Sequence, residues 1–116
     1  MEFGGYRQFV ELRGRYEALK RHEIDVANGF ATDWQIVAGS LVALTDNKGL
    51  FPPYMLAPVV RMDTVANNTQ AIEALERVNS LIDTEKMREL NRQVEVDKMT
   101  PRQVAEAFLK KKGILH

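Results

Sequence analysis

Apolar positions follow two different rhythms along this chain, and the change between them falls near Arg61. From Phe9 to Lys20, Phe9, Leu12, Tyr16 and Leu19 recur at three- and four-residue steps, which predicts an amphipathic helix. Gly14 interrupts it at a cost of roughly 1 kcal/mol against alanine. Ile24 to Asn28 then reads as a strand, with Gly29 allowing close backbone approach before Phe30. Thr32 or Asp33 is placed to cap a short helix through Trp34, Ile36 and Val37. Leu41 to Leu44 predicts a second strand, closed by the turn Asp46-Asn47-Lys48-Gly49. Pro52 and Pro53 fix an extended approach to Tyr54, and Met55 to Arg61 makes a third strand.

Beyond Asp63 the pattern is helical only. Asp63 can cap a short helix, and Ile72, Leu75, Val78 and Leu81 mark another amphipathic stripe. Thr84 is a plausible cap for a helix carrying Met87, Leu90 and Val94. The last helix has the fullest set of signals. Thr100 is the cap, Pro101 opens the first turn, Gln103 completes a capping box and Gly113 is the stop. The expected fold class is therefore α/β, with a small sheet and helices in residues 1–61 and a helical segment in 62–116. The two halves belong to one domain.

Composition narrows the function classes. Length and apolar content allow one domain with a modest core. Sixteen basic and sixteen acidic residues cancel, so bulk charge draws the chain neither to nucleic acid nor to an anionic membrane. Lys110-Lys111-Lys112 is the one basic cluster, and a helix C-terminus accounts for it through the dipole. Cysteine is absent, which removes disulfide, zinc-thiolate and thiol-nucleophile readings together. No run has the length of a membrane span, and MEFGGYRQF lacks the order of a signal peptide.

Catalysis finds little support. His22 falls at a helix end and His116 is the last residue. Asp25, Asp33 and Asp46 are explained by turns and caps. Gly4-Gly5 is too short for a phosphate loop. No enzyme activity, cofactor or metal is expected. The more informative residues are aromatic. Phe30 and Tyr54 stand where predicted strands give way to loops, and an aromatic face there attracts a desolvated quaternary ammonium. Aromatics at strand ends are more often core or rim packing than ligand contacts, and Trp34 and Tyr16, on helical apolar faces, read as core.

Several motifs in order sharpen the choice. YEAL at 16–19, EIDVANGFATD at 23–33, LVALTDNKGLFPPY at 41–54 and APVVR at 57–61 are followed by LNRQVEVD at 90–97 and PRQVAEAFLKKKGIL at 101–115. Together they resemble the substrate-binding proteins of ATP-binding-cassette importers for quaternary-ammonium osmolytes such as glycine betaine, choline and carnitine. The resemblance implies one lobe of a type II periplasmic-binding-protein-like clamshell, the second lobe with its C-terminal segment. It implies an extracytoplasmic parent, free or membrane-anchored, that works with an importer permease. It also implies an aromatic box around the trimethylammonium group, and the matching positions are Phe30 and Tyr54. Phe30 stands where the family usually has tyrosine, keeping the π face and losing the hydroxyl.

Other departures are larger. The first lobe, with the rest of the box, has no counterpart, and the family's carboxylate-binding arginine is not matched near Glu2-Phe3-Gly4-Gly5-Tyr6. Two cation–π contacts contribute about 0.5–2 kcal/mol each, against roughly 8 kcal/mol behind micromolar affinity. Weak binding or none is therefore expected of this chain alone. Each leucine-sized side chain left uncovered forgoes roughly 1.5–3 kcal/mol. The chain is accordingly expected to form a homo-oligomer or to complement a missing lobe. The competing reading is a truncated lobe acting as a structural or interaction module, and a third is a fragment of a longer chain.

Overall fold

A computed structural model describes residues 4–52 and 55–115; of Leu12 the backbone alone is described. The chain forms two compact units, Met1–Ala43 and Leu44–His116. The change to a purely helical pattern after Arg61 thus falls inside the second unit.

In the first unit, helix α1 (Leu12–Lys20) begins later than the apolar spacing implied. Phe9 lies ahead of it, and the reason is visible at Gly14: a Cβ there would come within 3.3 Å of Phe9 Cδ1. The glycine that weakens the helix lets the preceding aromatic lie on it. Among the described side chains of this helix, Ala18 is buried. At its C-terminus the His22 N–H donates to Leu19 O and the Glu23 N–H to Ala18 O, with His22 at φ 55°. This pair of bonds satisfies the last carbonyls and reverses the chain. His22 is thus a backbone turn residue, open to solvent. A single-turn helix, α2 (Gln35–Ala38), has Trp34 as its N-cap residue rather than the expected Thr32 or Asp33.

The second unit carries four helices among its described residues: α3 (Met62–Asn67), α4 (Thr69–Asn79), α5 (Thr84–Glu95) and α6 (Pro101–Lys111). The caps differ from expectation at α3, where Arg61 and not Asp63 is the N-cap residue, and at α5. Asn68 caps α4 through a bond from the Ala71 N–H, and Asp83, one residue before Thr84, caps α5 through Lys86 N–H. Asp63 occupies the first turn of α3 and accepts from the Thr64 N–H at 2.8 Å. Helix α6 has the whole expected set, with a reciprocal Thr100–Gln103 capping box, Pro101 at the start and Gly113 at φ 68° beyond the end. Val104 and Phe108, one turn apart on α6, are buried, and α5 packs against this helix. Ile72 and Val78 on α4 are half-buried, as is Leu81 just beyond its end, whereas Leu75 is exposed.

The expected sheet is a correction. Among the described residues 24–28, 41–44 and 55–61 there is no strand. A helix closes its hydrogen bonds within its own segment, but a strand completes them only against a neighbour about 4.8 Å away. The runs 41–44 and 55–60 read as strand because they are continuously apolar, the pattern of strands covered on both faces. Here they are open: Val42 is 83% exposed, Leu44 80% and Val59 97%. No helix among the described residues is long and apolar enough to cross a membrane.

Candidate functional site

The segment Asn28-Gly29-Phe30-Ala31-Thr32-Asp33 is the best-organised loop in the first unit, and it is organised by one carboxylate. Asp33 is buried, the only charged residue that is so among those described. Its Oδ2 accepts from the Phe30 N–H at 2.8 Å and from the Tyr16 hydroxyl at 2.7 Å. The Asp33 N–H in turn donates to Phe30 O at 3.0 Å. Phe30 is therefore held at both its amide and its carbonyl by a single residue. Upstream, Arg15 Nη1 donates to the Asn28 carbonyl at 2.8 Å, tying the loop to α1 a second time. Gly29 is required where these elements meet, because a Cβ there would collide with the Tyr16 hydroxyl and lie 3.3 Å from Asp33 Oδ2.

With its main chain fixed in this way, Phe30 remains 52% exposed. A half-open aromatic on a braced backbone offers a ring face at little ordering cost, as a cation–π contact requires. Tyr54, the other aromatic singled out by sequence, lies outside the described residues.

The turn at Asp46 is braced by a similar device. Asp46 Oδ2 accepts from the Phe51 N–H at 2.8 Å. That bond, followed by one from Leu50, holds the Asp46 carboxyl below the usual carboxylate range. The turn expected at Asp46–Gly49 is present, with Gly49 at φ 64° and its N–H donating to Asp46 O.

A surface recess of about 290 Å³ opens in the first unit between Tyr6, Arg7, Gln8, Phe9, Arg15 and Asn28. Both its cations are engaged: Arg7 pairs with Glu23 at 2.6 Å and lies 5.0 Å above the Phe9 ring, and Arg15 holds Asn28. Phe30 is not among its walls.

The sequence reading named Phe30 and missed what supports it. Asp33 was read as a turn or cap and Tyr16 as core. The carboxylate does fix a turn, but it caps Phe30 rather than α2, and Tyr16 is half-buried with its hydroxyl committed to that carboxylate. The available signal was GFATD itself, which sets an acid three residues after an aromatic that follows a glycine. Nothing local announces that Tyr16, seventeen residues from Asp33, supplies the second donor.

Comparison with known proteins places the chain in a family. Residues 4–111 match the substrate binding domain of ABC-type glycine betaine transport systems. The ergothioneine transport permease/ergothioneine binding protein EgtU of Helicobacter pylori (strain G27) is 37% identical over 105 residues, which is 90% of this chain and 19% of that protein. The carnitine transport binding protein OpuCC of Listeria monocytogenes serotype 1/2a (strain 10403S) is 32% identical over 96 residues, 83% of this chain and 31% of the relative. The glycine betaine-binding protein YehZ of Escherichia coli (strain K12) is 31% identical over 116 residues, 94% of this chain and 38% of the relative. The chain therefore spans well under half the length of these curated relatives.

Proposed function

The chain belongs to the family of substrate-binding domains of ABC-type glycine betaine transport systems, and from that premise we propose that it is a solute-binding segment recognising quaternary-ammonium osmolytes for an importer. Phe30 and Tyr54 contribute aromatic faces to the trimethylammonium group. The carrying observation is Phe30, fixed at its N–H and C=O by a buried carboxylate and yet half open. The solutes in the relatives' names, glycine betaine, carnitine and ergothioneine, each combine a trimethylammonium group with a carboxylate. An aromatic cage serves their shared cationic end. The permease of the transport system is the proposed partner, and the parent protein acts outside the cytoplasm. The segment performs no chemistry of its own.

Two cation–π contacts contribute at most about 4 kcal/mol in a desolvated site, which corresponds to millimolar rather than micromolar affinity. The test is an NMR titration of this chain with glycine betaine, with unmethylated glycine as the control. Phe30 and Tyr54 ring resonances should move with glycine betaine alone, saturating no lower than about 1 mM, and Phe30→Ala should abolish the response. Equal response to both solutes, or none to either, would defeat the reading.

One observation favours a second reading, an interaction module. Leu44, Leu50, Met55, Leu56 and Val59 are all mostly exposed within one stretch of the second unit. Contiguous apolar exposure of this kind marks surfaces that are covered by another chain. Under this reading the chain self-associates or docks a complementary lobe, and Tyr54→Ala changes nothing. A monodisperse monomer by light scattering at high concentration would argue against self-association.

A further inference from the structure

We infer that Asp33 and Tyr16 are positioning residues for the solute, acting through Phe30; the inference rests on the osmolyte-binding reading above. Three bonds carry it. One oxygen of Asp33 accepts both the Phe30 N–H and the Tyr16 hydroxyl, and the Asp33 N–H closes the loop onto Phe30 O. Tyr16 belongs to α1, so the hydroxyl links the aromatic loop to the unit's longest helix.

The consequence is geometric. A ring on a loop with free φ and ψ must be ordered each time a cation docks, and that ordering subtracts from affinity. With its amide and carbonyl both held by Asp33, Phe30 keeps a fixed Cα–Cβ direction before any solute arrives. Burial of the carboxylate strengthens the device, since charge-assisted bonds are shorter and stronger than neutral ones, and more so away from water. The close approach at Gly29 sets the same requirement from the other side, because a methyl group there would displace the Tyr16 hydroxyl.

Charge and position make different predictions at Asp33. Both bonds end on a single oxygen, so an asparagine carbonyl can accept them while its net charge is zero. If Asp33 works by holding Phe30, Asp33→Asn keeps most of the solute response and Asp33→Ala loses it. A carboxylate attracting the cation directly would be lost equally in both.

The experiment is the glycine betaine titration repeated on Tyr16→Phe, Asp33→Asn and Asp33→Ala, with Phe30→Ala as reference. It is paired with amide hydrogen exchange at Phe30 and with far-UV circular dichroism. The expected result is a protected Phe30 amide in the parent chain and in Asp33→Asn. In Tyr16→Phe and Asp33→Ala that protection should fall, and solute response should weaken by about tenfold, equivalent to about 1.4 kcal/mol. Helix content should be unchanged throughout. If Phe30→Ala abolishes the response but Tyr16→Phe and Asp33→Ala leave it intact, this inference fails and the proposed function survives. Equal loss in Asp33→Asn and Asp33→Ala with the Phe30 amide still protected would also overturn positioning. A parent chain that gives no response, or a Phe30→Ala variant that responds normally, overturns the proposed function and this inference with it.

Discussion

Helix α6 and the stretch 44–60 lie in the same unit and are both rich in apolar residues, yet they end in opposite states. In α6 Val104 and Phe108 are buried and each end of the helix is closed by named bonds. Among the described residues of 44–60, Leu44, Met55 and Val59 stand open, and Asp46 ties its turn to Phe51. Hydrophobicity is not the difference. The helix satisfies its backbone within a few residues and needs a neighbour for one face only, and α5 provides it. The extended stretch needs partners along its edges as well as its faces. Burial therefore follows backbone satisfaction, and a chain that is locally complete in one place can be incomplete in another.

That contrast can be broken in graded ways. The largest effect is expected from Phe108→Ala, which removes the largest buried side chain of α6. It should destabilise the second unit by about 3–5 kcal/mol, read as a lower midpoint in urea unfolding. A loss below about 1 kcal/mol would mean that α6 is not the core of that unit.

A smaller effect is expected at the helix entrance. Thr100→Ala removes the hydroxyl that accepts from the Gln103 N–H and half of the capping box, and should cost about 1 kcal/mol. Thr100→Ser should restore most of it in the same assay.

Acid should loosen α5 modestly. Arg92 binds Glu89 at 3.0 Å and Asp97 at 3.0 Å, and its bonds to Glu89, with a further one from Gln93, lower the Glu89 carboxyl from 4.5 to about 2. A carboxyl depressed on folding stabilises the fold above its unfolded pKa and loses that contribution as pH falls through the folded value. The helix signal of α5 should thus weaken between about pH 5 and pH 2, with Glu89→Gln flattening that part of the profile. Side chains this open to solvent make the amplitude small, and a steep loss near pH 6 would point to a different group.

The smallest effect on stability belongs to the open stretch. Leu44→Lys and Val59→Lys should each change the unfolding midpoint by no more than about 0.5 kcal/mol, while lowering any self-association seen by sedimentation. A large loss of stability would show that these side chains are covered within the chain.

The four helices after Arg61 were legible because their signals are short-range. Apolar residues at three- and four-residue steps, Thr100 as cap and Gly113 as terminator all act within one or two turns, whereas the caps at Asn68 and Asp83 came from the structure. Phe30 was legible as an aromatic in a loop, and its family position followed from the motifs around it. The latch beneath it was not. Tyr16 and Asp33 lie seventeen residues apart, and no local pattern states that a helical hydroxyl and a loop amide will share one carboxylate oxygen. The strands failed in the opposite direction, since continuous apolar runs at 41–44 and 55–60 specify what a strand prefers without supplying the neighbour that makes one.

The amino-acid sequence by itself determined the helices after Arg61, both ends of α6 and the family, and it singled out Phe30. Only the tertiary structure decided that Asp33 is buried, that it holds Phe30 from both sides, and that Leu44, Met55 and Val59 remain uncovered. The reason is the range of the forces involved. Caps and helical periodicity are settled between residues a turn apart, whereas burying a charge or completing a strand depends on which distant group arrives to answer it.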